Sequence, residues 1–456
     1  MPLININSMK EEGMSRRRFL TGAATVGAAA VAAPALLASC SGGNNKLTPL
    51  KKEGEYYLPE LPDKAIDGPE LKVGLIGCGG RGSGAIINLL DAADNIKVTA
   101  LGDVFEDRLN DVRNRLKNER GQEVPTENCF VGFDAYKQVI DSGVDMVILT
   151  TPPVFRPEQF KYATEKGVHS FLEKPIAIDP KGYRSVIATA KQAQAKGLSV
   201  IVGTQRHHER RYVEANKQIQ AGLIGEITGG NVYWNQGMLW YRQREEGWTD
   251  MEWNIRDWVN WKWLSGDHII EQHVHNIDVF LWMSGLKPVS ATGFGSRQRR
   301  VTGDQFDFFS TDFTMENGIH MHSMCRQING CSSKVSEFIQ GSKGSWNSET
   351  NEIKDLEGNV IWKYDEEKAK QEFQQHDPYT LEHVDWVNHI RKGTAHEEAT
   401  ECAISCMAGI MGREAAYTGN TVTWDEMTQS PQDFLPEKLE LGPLDLASMT
   451  VPVPGN

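Results

Sequence analysis

The sequence lacks a long apolar run beyond its first forty residues, an excess of basic side chains and closely paired cysteines. It has 61 acidic and 48 basic residues and a net charge of −13. Nucleic acid is therefore excluded as a partner, because phosphate binding needs a positive surface. The seven cysteines contain no C-x-x-C pair, which argues against zinc and thioredoxin chemistry. Most of the six that follow Cys40 are expected to be small buried residues.

The first forty residues have the pattern of an export signal. A twin-arginine motif, S-R-R-R-F-L at residues 15–20, precedes an Ala-rich run, and a lipobox-like sequence ends at Cys40. A transmembrane anchor is the alternative, but the run is short and contains Pro34. We expect residues 1–40 to be a twin-arginine signal with a lipobox and residues 41–70 a linker. The mature protein would be periplasmic, touching the membrane only through a lipid on Cys40.

A glycine-rich motif follows the linker. The sequence G-x-G-x-x-G at residues 77–82 comes after a short aliphatic run and before a helix-like run, the context that a dinucleotide pyrophosphate requires. The first glycine permits a tight turn, the second lets the backbone approach the phosphates, and the third lets the helix pack on its strand. Free N–H groups at the helix start then face the anion. The predicted cofactor contacts here are Gly77, Gly79, Gly80, Arg81 and Gly82.

An acidic residue follows at the expected place. The strand-like run from Lys97 to Gly102 ends at Asp103, about 20 residues beyond Gly82, where a carboxylate binds the adenosine ribose. An acid there repels a 2′-phosphate, so the predicted cofactor is NAD rather than NADP. A Rossmann-shaped domain without nucleotide is the alternative reading.

Strand and helix patterns alternate from Leu71 to about Gly203. This alternation is typical of a doubly wound parallel sheet, which binds ligands at the carboxyl ends of its strands. Two strand ends carry distinctive segments, T-T-P-P at residues 150–153 and E-K-P at residues 173–175. A lysine beside a nicotinamide can orient a substrate hydroxyl and stabilise the developing alkoxide. Further cofactor contacts are therefore expected from Thr151, Pro152, Glu173 and Lys174.

In this order the motifs resemble the Gfo/Idh/MocA family, which includes glucose–fructose oxidoreductase and inositol dehydrogenase, from about Leu71 to Met427. The resemblance implies an α/β fold: a Rossmann domain followed by an α+β domain with an open, mainly antiparallel sheet. It also implies that Lys174 is catalytic, that the following proline is often cis, and that the protein is a homo-oligomer. The chain departs from the family at Arg156, where many members have histidine. The predicted domains are residues 71–205, 206–427 and an extended C-terminal arm over 428–456.

The second domain has an aromatic window. Close-set strand patterns between Glu226 and Met324 agree with an α+β domain, and seven of the twelve tryptophans lie between Tyr233 and Trp263. Indole faces suit sugar rings, although core packing or a subunit interface uses tryptophan too. Only some of these side chains are expected to reach substrate. The predicted substrate contacts are Arg206, His208, Trp240, Trp258, His273 and His275.

Residues 266–278 contain the predicted catalytic base. In a helix, Glu271 and His275 lie on one face, so the carboxylate can orient the imidazole. A histidine with a near-neutral pKa can take a hydroxyl proton while hydride leaves the same carbon. The family resemblance also matches His275 to the catalytic histidine and leaves the equivalence of Glu271 open. A metal held with His273 is the alternative, but one helix points that side chain away, so no metal is expected.

Together these patterns predict an NAD-dependent oxidoreductase with Lys174, His275 and Glu271 as catalytic residues. Its substrate is expected to be a small carbohydrate: a sugar, a sugar alcohol or a glycoside. Because the twin-arginine route exports folded proteins, the cofactor is expected to be loaded first and held tightly. Two alternatives remain, an NAD-dependent glycosidase that works through oxidation, elimination and re-reduction, and a sugar-binding lipoprotein without catalysis.

Overall fold

The structure, a computed structural model, describes residues 56–455. The predicted twin-arginine motif, the lipobox at Cys40 and the linker up to residue 55 lie outside these residues. Within the described part of the chain, every helix is too short or too polar to cross a membrane. The six cysteines of this part are free thiols, and four of them are buried, as expected of small hydrophobic residues.

The first part of the fold is a six-stranded parallel sheet in the order β3-β2-β1-β4-β5-β6. This doubly wound order confirms the predicted Rossmann fold. The central strand β4 is buried along its whole length, because helices cover both faces of such a sheet. The strands are β1 (Leu71–Ile76), β2 (Ile96–Asp103), β3 (Cys129–Val131), β4 (Met146–Leu149), β5 (His169–Leu172) and β6 (Val200–Val202).

Five helices alternate with these strands. Two of the five end at a glycine, the residue that adopts the left-handed conformation most readily. Two have a proline in the first helical turn, a position that suits proline. The helices are α1 (Gly80–Ala92), α2 (Glu106–Arg120), α3 (Ala135–Asp141), α4 (Arg156–Lys166) and α5 (Pro180–Ala195).

The second part is built on a nine-stranded sheet in the order β14-β13-β12-β11-β7-β10-β9-β8-β15. All of its pairs are antiparallel except β7 with β10. Buried residues alternate along β9, as expected when one face of a sheet covers a core. The strands are β7 (Ile227–Gln236), β8 (Pro288–Ser296), β9 (Phe308–Met315), β10 (His320–Gln327), β11 (Lys334–Gly341), β12 (Gly344–Asn347), β13 (Glu352–Asp355), β14 (Val360–Lys363) and β15 (Val422–Thr423).

Helices surround one face and the ends of this second sheet. Helix patterns in the sequence at residues 211–221 and 397–417 predict two of these helices, and their boundaries in the structure differ by one or two residues. The helices are α6 (Arg210–Gln220), α7 (Asp250–Arg256), α8 (Lys262–Ser265), α9 (His268–Glu271), α10 (Val274–Ser284), α11 (Glu366–Glu372), α12 (Pro378–Lys392), α13 (Ala399–Thr418) and α14 (Trp424–Gln429).

Helix α12 does not stay with the second sheet, although it falls inside the predicted second domain. Its Trp386 and Val387 are fully buried in the same hydrophobic cluster as Val73 and Leu75 of β1. The segment after α12 continues the return, since the Val200 N–H of β6 donates to the His396 carbonyl at 2.7 Å. The C-terminal helices therefore pack against both parts of the fold. The predicted division of the sequence at residue 206 does not account for this contact.

The C-terminal arm lies along its own chain. The Met251 N–H donates to the Gly442 carbonyl at 3.0 Å, and the Lys181 N–H donates to the Gln432 carbonyl at 3.3 Å. Phe434, Leu435 and other apolar residues of the arm pack against the main core of the second part. The arm therefore contacts both α5 of the first part and α7 of the second part.

Candidate active site

Two glycines of the loop after β1 have no room for a side chain. A Cβ at Gly77 would lie 2.7 Å from the backbone carbon of Thr150, and Gly77 has a φ of +93°. A Cβ at Gly82 would lie 1.9 Å from the carbonyl oxygen of Gly77. The loop therefore needs glycine at both positions, for the turn and for the close packing of α1 on β1.

Gly79 and Gly80 have the opposite surroundings, because they border open space. A Cβ at Gly80 would meet no heavy atom within 4 Å, and one at Gly79 would meet only a guanidinium nitrogen of Arg108, at 3.9 Å. Both glycines line a cavity of about 660 Å³. No side chain caps the N-terminus of α1, so its N–H groups are available to an anion. The loop thus fits a dinucleotide pyrophosphate.

Asp103 ends β2 and borders the same cavity. Its carboxylate accepts the Cys78 N–H at 2.6 Å and the Phe105 N–H at 2.8 Å. Burial raises the pKa of Asp103, and these two donors oppose that rise. A carboxylate has about four lone-pair sites, so the side chain can still accept the hydroxyls of a ribose. Asp103 therefore lies where the sequence predicted it.

The walls of this cavity come from several separate stretches of the chain. Thr151 and Pro152 belong to the loop after β4, as predicted for cofactor contacts. Trp240 and Trp258 come from the aromatic window, and their rings meet edge to face with centroids 6.3 Å apart. The sequence analysis assigned both tryptophans to the substrate, whereas the structure places them on the cavity that the glycine loop lines.

Two residues of the cavity wall were not predicted from the sequence. Leu435 and Leu439 belong to the C-terminal arm. No local motif marks these residues, because their position depends on how distant parts of the chain pack. The apolar spacing of Leu435 and Leu439 is the only signal that could have suggested a buried side of the arm.

Lys174 follows β5, and its peptide bond to Pro175 is cis. Its Nζ donates to the carbonyl oxygen of Glu271 at 2.5 Å and to the Glu271 carboxylate at 3.1 Å. Arg156 is buried and donates from Nη1 to the Pro175 carbonyl oxygen at 2.6 Å. Burial lowers the pKa of Arg156 to about 10. The arginine that departs from the family pattern therefore holds the proline segment beside Lys174.

Glu173 holds the segment around Lys174 through a second set of contacts. Its carboxylate forms an ion pair with Arg81 and accepts the Lys174 N–H at 3.2 Å. Arg81 also pairs with Glu382 of α12 at 3.0 Å. Burial alone would lower the pKa of Arg81, but the two carboxylates raise it. Because Arg81 also lines the cavity, it connects the cofactor loop to the strand end that carries Lys174.

The stretch from 266 to 278 is not one helix, which corrects the geometry expected for Glu271. Helix α9 ends at Glu271, and α10 begins at Val274. The Glu271 carboxylate consequently faces Lys174 and accepts the Gln272 side-chain amide at 2.5 Å. It does not hydrogen-bond His275. Glu271 therefore acts on the lysine rather than on the histidine.

His275 lies in the first turn of α10 and stacks on Trp234, with ring centroids 5.5 Å apart and planes at 21°. Its Nδ1 is buried and has no hydrogen-bond partner among the described residues. Burial, followed by the charges of Lys174 and Arg206, lowers the pKa of His275 well below its usual value. A neutral imidazole of this kind can accept a proton.

Two of the predicted substrate contacts are enclosed by protein. His208 is fully buried and hydrogen-bonds with Asp385 of α12 at 3.1 Å. His273 is also fully buried, its Nε2 lies 2.8 Å from the Ser323 hydroxyl, and burial lowers its pKa to about 3. Neither imidazole has a surface that a sugar could touch, so the structure does not support these two substrate contacts.

Arg206 shares a neighbour, Trp234, with the predicted base His275. Its Nη1 donates to Glu337 of β11 at 2.6 Å, and its guanidinium sits over the Trp234 ring at 5.5 Å. Trp234 thus contacts Arg206 and His275. Sequence reasoning missed Glu337, because an isolated glutamate in a strand carries no motif.

Two family models match the chain, and together they cover more than half of it. The model described as the oxidoreductase family with an NAD-binding Rossmann fold matches residues 71–203, and the GFO/IDH/MocA C-terminal domain matches residues 212–347. The chain belongs to the Gfo/Idh/MocA family. Its NAD-binding Rossmann domain therefore contains the glycine loop and Asp103, and its C-terminal domain contains His275.

Relatives within the Gfo/Idh/MocA family differ in activity. Inositol 2-dehydrogenase/D-chiro-inositol 3-dehydrogenase of Lactiplantibacillus plantarum is 27% identical over 50% of this chain and 57% of that enzyme. A glycosyl hydrolase family 109 protein of Streptomyces coelicolor is 26% identical over 63% of this chain and 56% of that protein. The chain thus spans little more than half the length of these curated relatives.

Solved structures agree on the fold. The crystal structure of scyllo-inositol dehydrogenase from Lactobacillus casei, which has bound NAD(H) and scyllo-inositol, is similar with a TM-score of 0.58. It is 19% identical, and the match covers 78% of this chain and 99% of that one. The two chains therefore share the same overall fold over most of their length.

Proposed function

We propose that the protein is an NAD-dependent oxidoreductase that acts on a ring hydroxyl of a sugar, a sugar alcohol or a glycoside. One observation carries the proposal: Lys174, from the end of a Rossmann strand, bonds to Glu271 at the end of α9, and α10 then begins with His275 in its first turn. A cation and a neutral imidazole from different parts of the chain are thereby brought into one site. The glycine loop connects to this site through Arg81 and Glu173.

Each group has a defined task in the oxidation of an alcohol. The neutral His275 accepts the hydroxyl proton. A lysine ammonium has three donors, and Glu271 accepts from Lys174 with its carbonyl and its carboxylate. The remaining N–H of Lys174 stabilises the alkoxide that develops on the substrate oxygen. NAD, held by the glycine loop and Asp103, would supply the acceptor for the hydride that leaves the same carbon.

Purified protein should be tested for turnover with its own cofactor. Sugars, sugar alcohols and glycosides are supplied singly, and the absorbance of reduced nicotinamide and the mass of the products are recorded. A keto-sugar with a matching rise in absorbance supports the proposed oxidoreductase. A panel that gives neither reduction nor product would support the non-catalytic sugar-binding alternative.

A glycosidase is the second candidate, favoured by the similarity to glycosyl hydrolase family 109 proteins. A ring ketone acidifies the neighbouring C–H, so the glycosidic group can leave by elimination; water then adds to the unsaturated ketone, and return of the hydride restores the alcohol. This reaction releases a free aglycone without net change in the cofactor. Mass spectrometry of glycoside products therefore distinguishes it from simple oxidation.

We also propose that the cofactor is held throughout the catalytic cycle and that the protein works after export. The twin-arginine motif and the lipobox-like sequence at Cys40 support export as a folded, lipid-anchored protein. Cell fractionation, with and without Cys40→Ser, would test the anchor. A homo-oligomer is proposed on family resemblance, and light scattering would measure its size.

Loosening the arm is expected to release the cofactor. Leu435 and Leu439 line the cavity, so replacing both by serine removes apolar contacts at its wall. A loss of about 1.4 kcal/mol corresponds to a tenfold weaker complex, and we expect NAD to dissociate at least about tenfold faster. Cofactor content is followed by mass spectrometry during dialysis. Leu441→Ser is the control, since Leu441 is exposed; equal dissociation rates in all proteins would contradict the role of the arm.

The pH profile should reflect the environment of His275. Burial and the charge of Lys174 lower its pKa well below the ordinary value of about 6.5. Because the base works in its neutral form, kcat/KM should stay constant as the pH falls to about 6 and decline only in stronger acid. Steady-state rates between about pH 4.5 and pH 9 test this. An acid limb with its midpoint at or above the ordinary histidine value would contradict it.

A further inference from the structure

A second polar cluster, separate from the residues assigned to the reaction, lies where β6 meets the C-terminal helices. It consists of His208, Asp385 and Glu398, all buried. His208 follows β6, Asp385 lies in α12, and Glu398 immediately precedes α13. One ligand atom from each side chain lies within 4.8 Å of the other two. Three distant segments of sequence therefore bring a nitrogen and two carboxylates to one point.

More potential ligands surround these three. Nε2 of His396 lies 3.6 Å from a Glu398 oxygen, and Nε2 of His389 lies 3.6 Å from an Asp385 oxygen. The rings of these two histidines stack with centroids 4.8 Å apart. The hydroxyl of Tyr57 donates to Asp385 at 2.8 Å. The cluster therefore contains three imidazoles around two carboxylates.

Most imidazole–carboxylate distances within the cluster exceed hydrogen-bond length and suit ligands that share one ion. His208 Nε2 is 3.1 Å from Asp385 but 3.7 Å from Glu398. Three of the four imidazole–carboxylate pairs are thus longer than a hydrogen bond. Ligand atoms at about 2.1 Å from a tetrahedral metal lie about 3.4 Å from each other. The two separations from His208 Nε2, 3.1 Å and 3.7 Å, lie on either side of that value.

Neighbouring groups hold the ligands in place, as they do around protein-bound metals. The second oxygen of Glu398 accepts the Val202 N–H at 3.0 Å. Nδ1 of His389 lies 3.1 Å from the carbonyl oxygen of Thr394, to which it can only donate, so Nε2 is an acceptor and lies 2.9 Å from the Tyr57 hydroxyl. Nδ1 of His208 has no partner in the described chain, so the group at Nε2 determines its tautomer.

The charges also call for a cation. Asp385 and Glu398 place two carboxyl groups inside the protein, where an unpaired negative charge is costly. Either a bound metal or two protonated histidines can supply the positive charge. Chelation would change the melting temperature of the protein in the first state but not in the second.

We propose that His208, Asp385 and Glu398 bind one divalent transition-metal ion, with Zn²⁺ as the best match, and that His389 and His396 border the site. One imidazole and two carboxylates suit a borderline ion, whereas Mg²⁺ and Ca²⁺ prefer oxygen ligands alone. Because none of the three residues takes part in the proposed reaction, the role of the metal is to tie β6 to α12 and α13. The site is different from the one considered for Glu271, His273 and His275 in the sequence.

The test uses the purified protein without a histidine tag. Its metal content is measured by mass spectrometry, and after chelation it is titrated with Zn²⁺ against a fluorescent chelator. We expect one zinc-class ion per chain and a lower melting temperature after chelation. His208→Gln and Glu398→Gln should each weaken Zn²⁺ binding by at least about tenfold. His320→Gln is the control, since His320 is exposed and pairs only with Asp312.

Cobalt gives a readout that does not depend on the variants folding. Co²⁺ added to the chelated wild-type protein should give visible d–d absorption that one equivalent of Zn²⁺ abolishes. A wild-type protein that contains no stoichiometric metal, gives no cobalt spectrum and melts at the same temperature with and without chelator would overturn the proposal. The cluster would then be held by two protonated histidines.

Discussion

His275→Ala is expected to lower kcat/KM by about 10²- to 10⁴-fold, the contribution typical of a general base, while the protein keeps its NAD. The imidazole is buried and neutral and stacks on Trp234. The two other histidines that were predicted to contact substrate have different partners, because His273 is bonded to Ser323 and His208 to Asp385. Removal of His275 therefore removes the proton acceptor without touching the glycine loop.

Alanine also leaves a hole beside Trp234, so His275→Gln is needed as a second variant. The amide fills the space but is far too weak a base to take the proton, and it should be as inactive as alanine. Single-turnover absorbance measures hydride transfer, and mass spectrometry of denatured protein measures bound NAD. His320→Ala is the matched control. If both His275 variants turned over at the wild-type rate, the proposed role of this residue would be wrong.

The parts of the site that could be predicted are those encoded by neighbouring residues. The glycine loop, Asp103 at the end of β2, and the lysine followed by a cis-proline each depend on a strand and the few residues after it. Steric limits such as the contact between Gly77 and Thr150 act locally, and they leave a motif in the sequence. For the same reason the alternation of strands and helices predicted the first sheet correctly.

The parts that were missed depend on packing between distant segments. No glycine or proline marks the break between α9 and α10, so the 3.6-residue periodicity through Glu271 and His275 predicted one helix. The break turns the Glu271 carboxylate to Lys174 instead. In the same way, nothing near Trp386 reveals that α12 returns to the first sheet. Its burial against β1 is a property of the assembled fold.

The contacts around Lys174 also hold the reacting groups of the two parts of the fold in fixed relative positions. Glu271 holds Lys174 by two hydrogen bonds, and Arg156 fixes the carbonyl of the adjoining proline. A shift of the second sheet relative to the first would break these contacts. The return of α12, which pairs Glu382 with Arg81, opposes such a shift from the opposite end of the chain.

Gly82→Ala is expected to abolish cofactor retention and to lower the melting temperature, whereas Gly84→Ala in the same helix should do neither. The new methyl group at residue 82 would lie 1.9 Å from the Gly77 carbonyl oxygen and 2.6 Å from the Thr150 hydroxyl oxygen. The carbonyl cannot move freely, because the Thr150 hydroxyl donates to it at 2.6 Å. Helix α1 must therefore shift away from β1, at a cost of about 3 kcal/mol or more.

Gly84→Ala, the control substitution, should not lower the melting temperature. A Cβ at Gly84 would meet only a guanidinium nitrogen of Arg81, at an ordinary 3.6 Å, and alanine is better than glycine in a helix by about 1 kcal/mol. Gly84→Ala should thus keep its NAD and melt at the same or a higher temperature. Thermal unfolding and the NAD content of both variants test this pair. If Gly82→Ala kept its full complement of NAD, binding of the dinucleotide would not depend on the close packing of this loop, and the proposed placement of the pyrophosphate on the loop would be wrong.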